Sequence, residues 1–339
     1  MSIYTKLAPQ IWSEIQKANN ILLHLHPGPD GDSVGSALAL GLALKNLGKK
    51  VTIISGDSST PTSFFTLPGS NLILQANYFD INPKDFDLFI IPDTSALNQI
   101  SKKGEVTFPK NLKTINIDHH ASNSGFADIS LIDLKSPATC QIVYFLLKQF
   151  KVKITPEIAG CLLLGLHTDT GGYKYSPTSP TTFKIASKLS VICPNFSEII
   201  FNFENNDKPS RLKLVGLLLS NIKLYFGGHL AIASVSQKQL QKNNIENEVV
   251  SSLDVANMLK AVIGWDIAGT LIGGVDGRTK ISLRTRDPNK YDLSKIALAT
   301  GFGGGHKAAA GANIPGSLNK AQKILIESIA KLHPELGKP

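Results

Sequence analysis

The chain has 339 residues, 42% of them hydrophobic and 18% charged, which fits a globular protein of two domains and excludes a disordered or low-complexity chain. Lysine and arginine number 35 against 26 acidic residues, a surplus that favours polyanionic partners such as phosphates, nucleotides or nucleic acid. Three cysteines without CxxC spacing argue against a disulfide framework, Met1–Asn20 lacks the apolar core of a signal peptide, and no run approaches about 18 uninterrupted apolar residues, so a cytoplasmic protein with no membrane partner is expected.

In chain order, Met1–Asn20 reads as an amphipathic helix. Ile21–His26 is a buried strand, Ser33–Leu47 a helix ending at Gly48, and Lys50–Ser55 the next strand. A short strand near Asn71–Leu74 follows, then Asp87–Ile91 and Lys113–Ile117. Strands followed by helices of about 15 residues imply parallel crossovers, hence an α/β, doubly wound, mainly parallel sheet. Ala138–Phe150 and Pro156–Leu166 are apolar at helical spacing, and a helix over Thr181–Ser190 closes the domain.

The pattern loosens at Pro194, Asn205-Asn206-Asp207 and Pro209, with some helical character around Phe196–Phe203. The predicted organisation is a first domain over residues 1–190, a linker over 191–210 and a smaller α/β domain over 211–335, with an active-site cleft between the two. The second domain is read as a helix Arg211–Ser220, strands near Ile222–Phe226 and Leu230–Val235, and a helix Ser251–Ile263. Strands Trp265–Ile272 and Thr279–Arg286 follow, then a helix Leu293–Thr300. A glycine-rich turn Gly301–His306 leads to a strand near Ala312 and a last helix, Leu318–Leu332.

Chemistry concentrates at strand ends. The first strand runs into His26-Pro27-Gly28-Pro29-Asp30-Gly31-Asp32-Ser33, the strand at Asp87 into Asp93-Thr94, and the strand at Lys113 into Asp118-His119-His120. Parallel sheets place ligands beyond the carboxyl ends of their strands, so these three ends belong on one edge. A further acid, Asp169, stands at a helix end before Gly171-Gly172. His26, Asp30, Asp32, Asp93, His119 and Asp169 make the donor inventory of a dinuclear site for Mn²⁺, with Mg²⁺, Co²⁺ or Fe²⁺ as alternatives; without Cys donors a structural zinc site is disfavoured. Two such ions suit in-line phosphoryl displacement. Plainer readings exist: Asp32 or Ser33 as helix N-cap, Asp93 likewise, Asp169 as a C-terminal cap. His24 falls on the other side of the strand from its neighbours and reads as a core histidine, His167 as structural, and Asp128 and Asp133 as solvated turn carboxylates.

In the second domain, consecutive glycines let backbone N–H groups approach a phosphate. Ser282, Arg284 and Arg286 share one face of a strand at period 2, and arginine suits bidentate phosphate contact; Arg286 reads equally well as solvated. Tyr173 and Tyr175 are read either as a base-stacking pair or as core.

These residues also carry a resemblance. His26-x-x-Pro29-Asp30-Gly31-Asp32, Asp93, Asp118-His119-His120 and Thr168-Asp169-Thr170-Gly171 resemble the four ordered motifs of the DHH phosphoesterases. Gly303-Gly304-Gly305-His306-x-x-Ala309-Ala310-Gly311 resembles the glycine-rich motif of the DHH-associated C-terminal domain, with Phe302 interrupting the usual run of four glycines. The layout is most similar to the bacterial nano-RNase group, bifunctional oligoribonucleases that also act on 3′-phosphoadenosine 5′-phosphate. The resemblance implies that His26 and Asp30 hold one ion, that Asp32, His119 and Asp169 hold the other, and that Asp93 bridges them beside a nucleophilic hydroxide. It implies a catalytic set of His120, Asp93 and His119, with Asp118 supporting the histidines. Substrate contacts fall to His120, Arg284, Gly303, Gly304, Gly305 and His306. The implied activity is metal-dependent hydrolysis of short RNA or DNA oligonucleotides to mononucleotides, with 3′-phosphatase action. A cyclic di-AMP phosphodiesterase or a hydrolase specific for linear dinucleotides is the alternative. A pyrophosphatase would need a denser basic cage. A purely binding role fits poorly with four clustered carboxylates, which repel phosphate unless cations neutralise them. No obligate protein partner is evident, and a homodimer stays open.

Overall fold

The computed structural model describes residues 3–58, 62–175, 177–206, 208–246, 255–274 and 276–339. The chain divides into two compact units, Met1–Asn206 and Asp207–Pro339.

In the first unit six strands form one fully parallel sheet: β1 (Asn20–His24), β2 (Lys50–Ile54), β3 (Ile73–Leu74), β4 (Leu88–Pro92), β5 (Lys113–Asp118) and β6 (Ile129–Ile132). Their order is β3-β2-β1-β4-β5-β6. Strand β1 pairs with β2 through Ile21↔Val51 and with β4 through Ile21↔Leu88. The order therefore reverses between β1 and β4, and a crevice opens beyond the carboxyl ends of those two strands. One face of the sheet packs on α1 (Ile3–Lys17), α2 (Gly31–Asn46), α3 (Thr139–Gln149), α4 (Pro156–Asp169) and α5 (Pro180–Ile192), burying Leu23, Ile90, Ile115, Leu38 and Leu162.

The opposite face departs from the expected helical crossovers. Among the described residues only the β1–β2 connection is a long helix, and the connections from β2 to β5 hold 3-10 turns, including Thr62–Thr66, Tyr78–Asp80 and Leu97–Gln99. Residues 56–112 are rich in Pro, Gly, Asn and Asp and lack a 3.6-residue apolar period, so short capped turns replace helices. Tyr78, Phe89, Ile91 and Ile100 form the core there. Strand β6 is not among the strands expected from the sequence.

Helix α6 (Phe196–Glu204), within the stretch expected to be a linker, packs Ile199 and Phe203 against the core of the first unit. The second unit opens with α7 (Pro209–Ser220). Its mixed sheet contains β7 (Ile222–Tyr225), β8 (Leu230–Val235), β9 (Ile267–Gly273), β10 (Arg278–Thr285), β11 (Gly303–Gly305) and β12 (Ala309–Pro315), in the order β11-β12-β10-β9-β8-β7. The β8–β9 pair is parallel and the others antiparallel. One face buries Ile232, Leu271, Ile281 and Ile314 beneath α10 (Leu293–Ala299) and α11 (Leu318–Leu332). On the other face α7, α8 (Gln237–Lys242) and α9 (Val255–Lys260) cover Ala233, Val235, Ala268 and Ile272. The helix expected over Ser251–Ile263 is seen as α9, and Ser251–Asp254 lie outside the described residues. The glycine-rich segment is itself a strand, β11; the turn is His306–Ala309, closed by His306 N–H to Ala309 O at 2.8 Å. Among the described residues no helix is long and apolar enough to cross a membrane.

Candidate active site

The loop after β1 turns into α2 through Asp30, whose carboxylate accepts the backbone N–H groups of Asp32 (3.1 Å) and Ser33 (2.9 Å). Asp30 itself is the N-cap, so Asp32 and Ser33 are free of that task. Asp32 is fully buried. Its carboxylate accepts the N–H groups of Thr139 (2.5 Å) and Cys140 (2.9 Å), the orphan amides at the start of α3. Helix α4 crosses close by because residue 165 is glycine: a Cβ there would sit 2.8 Å from Asp32 Oδ1 and collide with Cys140 Sγ.

Asp93 follows β4 with φ 51°, a left-handed backbone uncommon outside glycine and frequent where a side chain must be aimed. It is buried, and Thr139 Oγ1 donates to its Oδ1 at 3.1 Å. Asp93 Oδ2 lies 3.4 Å from His26 Nε2, and Oδ1 lies 3.5 Å from His119 Nε2. His26 Nε2 is also 3.7 Å from Asp30 Oδ1. His119 Nε2 is 3.2 Å from Asp169 Oδ2 and 4.0 Å from Asp32 Oδ2. The six side chains thus fall into two donor groups, His26–Asp30–Asp93 and Asp32–His119–Asp169, with Asp93 reaching both.

The donor chemistry fits divalent cations. Each imidazole turns Nδ1 to a backbone carbonyl at 3.3 Å, His26 to Pro27 O and His119 to Ser136 O. With Nδ1–H donated there, the lone pair of Nε2 faces carboxylate oxygens, an arrangement that repels unless a cation or proton lies between. His119 Nε2 is buried and has no hydrogen-bond partner among the described residues, with Asp169 Oδ2 3.2 Å away. Burial would lower the His119 pKa, yet Asp169, Asp93 and Asp32 hold it up at about 12. His26 is likewise held high by Asp30 and Asp93 against its burial. Burial pushes Asp32 up, reinforced by Asp93 and Asp169, and pushes Asp169 up to about 6. Asp93 stays low because His119 and His26 outweigh its burial. A cluster whose groups raise one another's pKa values in this way is one where a bound cation would compete with protons.

His120 belongs to a third group, with Asp93, Asp118 and His119, and its Nδ1 lies 3.8 Å from Asp93 Oδ1. Its Nδ1 lies 2.8 Å from Asp118 Oδ1, which raises its pKa, and its side chain is one-third exposed. Asn123 Nδ2 donates to Asp118 Oδ2 at 2.7 Å and to Asn116 Oδ1 at 2.7 Å. His24 is fully buried, with Thr94 Oγ1 2.9 Å from its Nε2 and Leu25 O 3.1 Å from its Nδ1. Burial lowers its pKa to about 3. His167 pairs with Glu204 at 2.7 Å. Asp128 and Asp133 are not merely solvated: Asp128 accepts Thr114 N and Oγ1, each at 2.8 Å, and Asp133 accepts Tyr4 Oη at 2.6 Å. Tyr173 stacks on Phe183 with ring centroids 5.0 Å apart.

In the second unit β10, β12 and β11, with Ile272 and Gly273 of β9 and Leu240 of α8, line a cavity of about 860 Å³. Arg284, Gly304 and Gly305 line it, together with Arg278, Lys280 and Ser282. Arg278 and Lys280 were missed by sequence reading, although the alternation that selects Arg284 runs back to them. Gly303 and His306 lie outside the lining; Gly303 is needed because a Cβ would collide with Gly311 O. Arg286 lies outside the cavity and is exposed, as the solvated reading expects. Its Nη1 donates to the carbonyls of Lys260 (3.1 Å), Ala261 (3.0 Å) and Val262 (3.2 Å), capping α9.

Comparison with known proteins places both units. Residues 20–166 match the family model described as DHH family, N-terminal domain, and residues 227–331 match the DHHA1 domain. A Thermus thermophilus protein named bifunctional oligoribonuclease and PAP phosphatase NrnA is 29% identical over 332 residues, 95% of each chain. A Bacillus subtilis protein of the same name is 24% identical over 321 residues, 93% of this chain and 96% of its own. An exopolyphosphatase-related protein from Bacteroides fragilis aligns with a TM-score of 0.89 and 27% identity, covering 98% of this chain and 97% of that one.

Proposed function

We propose, from the premise that this chain belongs to the DHH family and is a phosphoesterase, that it hydrolyses short oligoribonucleotides to mononucleotides and removes the 3′-phosphate of 3′-phosphoadenosine 5′-phosphate. The observation that carries this reading is the pair of donor groups joined by Asp93, with a buried, unbonded His119 Nε2 at their centre. The names of the Thermus thermophilus and Bacillus subtilis relatives, which match along nearly their whole lengths, support the substrate class. His26 and Asp30 would hold one ion, Asp32, His119 and Asp169 the other, and Asp93 both. The mix of carboxylates and imidazoles favours Mn²⁺, with Mg²⁺ or Co²⁺ as substitutes. Bound ions would acidify a water and neutralise phosphate charge.

The chain's own groups do the rest. His120, whose pKa Asp118 raises, offers a donor to a phosphate oxygen of the substrate. Asp118 fixes the ring, and Asn123 fixes Asp118. In the second unit Arg284, Arg278 and Lys280 bind phosphate, while Gly304, where an added Cβ would meet nothing within 4 Å, lets a ligand lie against the backbone. Three buried free cysteines support a reducing compartment such as the cytoplasm.

The test is product analysis on a 5′-labelled RNA dinucleotide, a longer labelled RNA, 3′-phosphoadenosine 5′-phosphate and cyclic di-AMP, each with Mn²⁺ and with EDTA. Fast, metal-dependent release of mononucleotides from the dinucleotide, with the longer RNA slow, is expected. Preference for cyclic di-AMP would overturn the substrate assignment in favour of a signalling role. No turnover of any of the four would overturn the activity.

A further inference from the structure

We propose a second anion site in the first unit, distinct from the donor groups above: the cavity between the ends of α3 and α5 takes a compact ligand carrying two or more phosphates. The cavity measures about 750 Å³, within the range of small-molecule sites. Lys148 reaches it from the last turn of α3, Lys151 and Lys153 from the connection to α4, and Lys188 from the last turns of α5. Among the described residues no carboxylate lines it. Among the described residues, none of the four lysines appears in an ion pair.

Four exposed lysines around one concavity, with no lining carboxylate to offset them, carry like charges that repel one another. A polyanion relieves that repulsion. Lysines in the last turn of a helix complement its dipole, which accounts for Lys148 but not for Lys188, which precedes the last turn of α5. It does not account for Lys151 and Lys153, which lie outside helices. Ile154 and Val191 add an apolar wall, and Val191 is 78% exposed, a surface on which a base or sugar can rest.

The site is remote from the donor groups. Helix α4 has 14 residues, about 20 Å of axis; it starts just after Ile154 and ends at Asp169. Helix α3 meets Asp32 at its first residues and the cavity at its last turn.

The experiment is lysine acetylation footprinting of the full chain by mass spectrometry, with inorganic tripolyphosphate or adenosine triphosphate as probe and EDTA present. The expected result is protection of Lys148, Lys153 and Lys188, with Lys184, on α5 but outside the cavity, unprotected. The double variant Lys153→Ala/Lys188→Ala should lose about tenfold in probe affinity and keep its melting temperature and dinucleotide turnover. Tighter binding of the nucleotide identifies a nucleoside polyphosphate as the ligand; equal affinities identify free polyphosphate. Protection confined to Lys280 in the second unit, or unchanged affinity in the double variant, would overturn the proposal.

Discussion

Asp93 presents Oδ1 to His119 Nε2 at 3.5 Å while its other oxygen faces His26 at 3.4 Å. One carboxylate thus serves two imidazoles, each anchored at Nδ1 to a backbone carbonyl. Substituting Asp93→Ala removes the group common to both donor sets. Turnover should fall by about 10³-fold or more, even at saturating Mn²⁺. Steady-state rates near wild type would contradict the shared role.

Loading should be coupled to protons. Without cations, His119 and His26 hold protons at neutral pH, since their neighbours raise both pKa values. A ligating nitrogen must give its proton up. Cation uptake near pH 7 should therefore release about two protons, and affinity should weaken as pH falls. Calorimetry in buffers of different ionisation enthalpy measures this release, and its absence would contradict the donor assignment.

Asp118 acts on His120 from behind. Asp118→Asn keeps the shape but weakens the hold on Nδ1. A fall in kcat of about 10–100-fold with unchanged metal content is expected, read by parallel kinetics and metal analysis. Loss of metal together with activity would place Asp118 among the ligands instead.

Gly165→Ala tests the crossing of α2 and α4. The added methyl would press on Asp32 Oδ1 and Cys140 Sγ, in a core where neither neighbour has room to yield. Overpacking of this kind costs about 1–3 kcal/mol, so the melting temperature should drop and metal affinity with it. An unchanged melting curve would show that the crossing is looser than described.

Arg284 and Arg286 should separate cleanly. Arg284→Ala should raise KM for oligonucleotides and leave the fold intact. Arg286→Ala should cost about 1 kcal/mol of stability with little change in KM. Thermal melts beside kinetics decide, and a reversal of the two effects would contradict the cavity assignment.

Those two arginines also mark how far the sequence could be read. A period of two puts both on one face, but β10 ends at Thr285, so the alternation does not reach Arg286 and its side chain turns to α9. The strand ends bearing His26, Asp93 and His119 were legible because apolar runs locate strands and Asp or His follows each run. The amides that hold Asp32 were not, since they come from Thr139 and Cys140, 107 and 108 residues away. Parallel order was legible where helical crossovers were not: hydrophobic strands fix the sheet, while the Pro- and Asn-rich connections fold as 3-10 turns. The resemblance makes Gly303 a substrate contact, and the fold adds a need the sequence does not show, since a Cβ there would collide with Gly311 O.

The most direct measurement is a Mn²⁺ titration of the full chain, followed by electron paramagnetic resonance. Two ions per chain are predicted, with an exchange-coupled spectrum that disappears in Asp93→Ala. A single ion per chain, or two ions whose uncoupled signals are the same in the variant, would contradict a centre joined through Asp93.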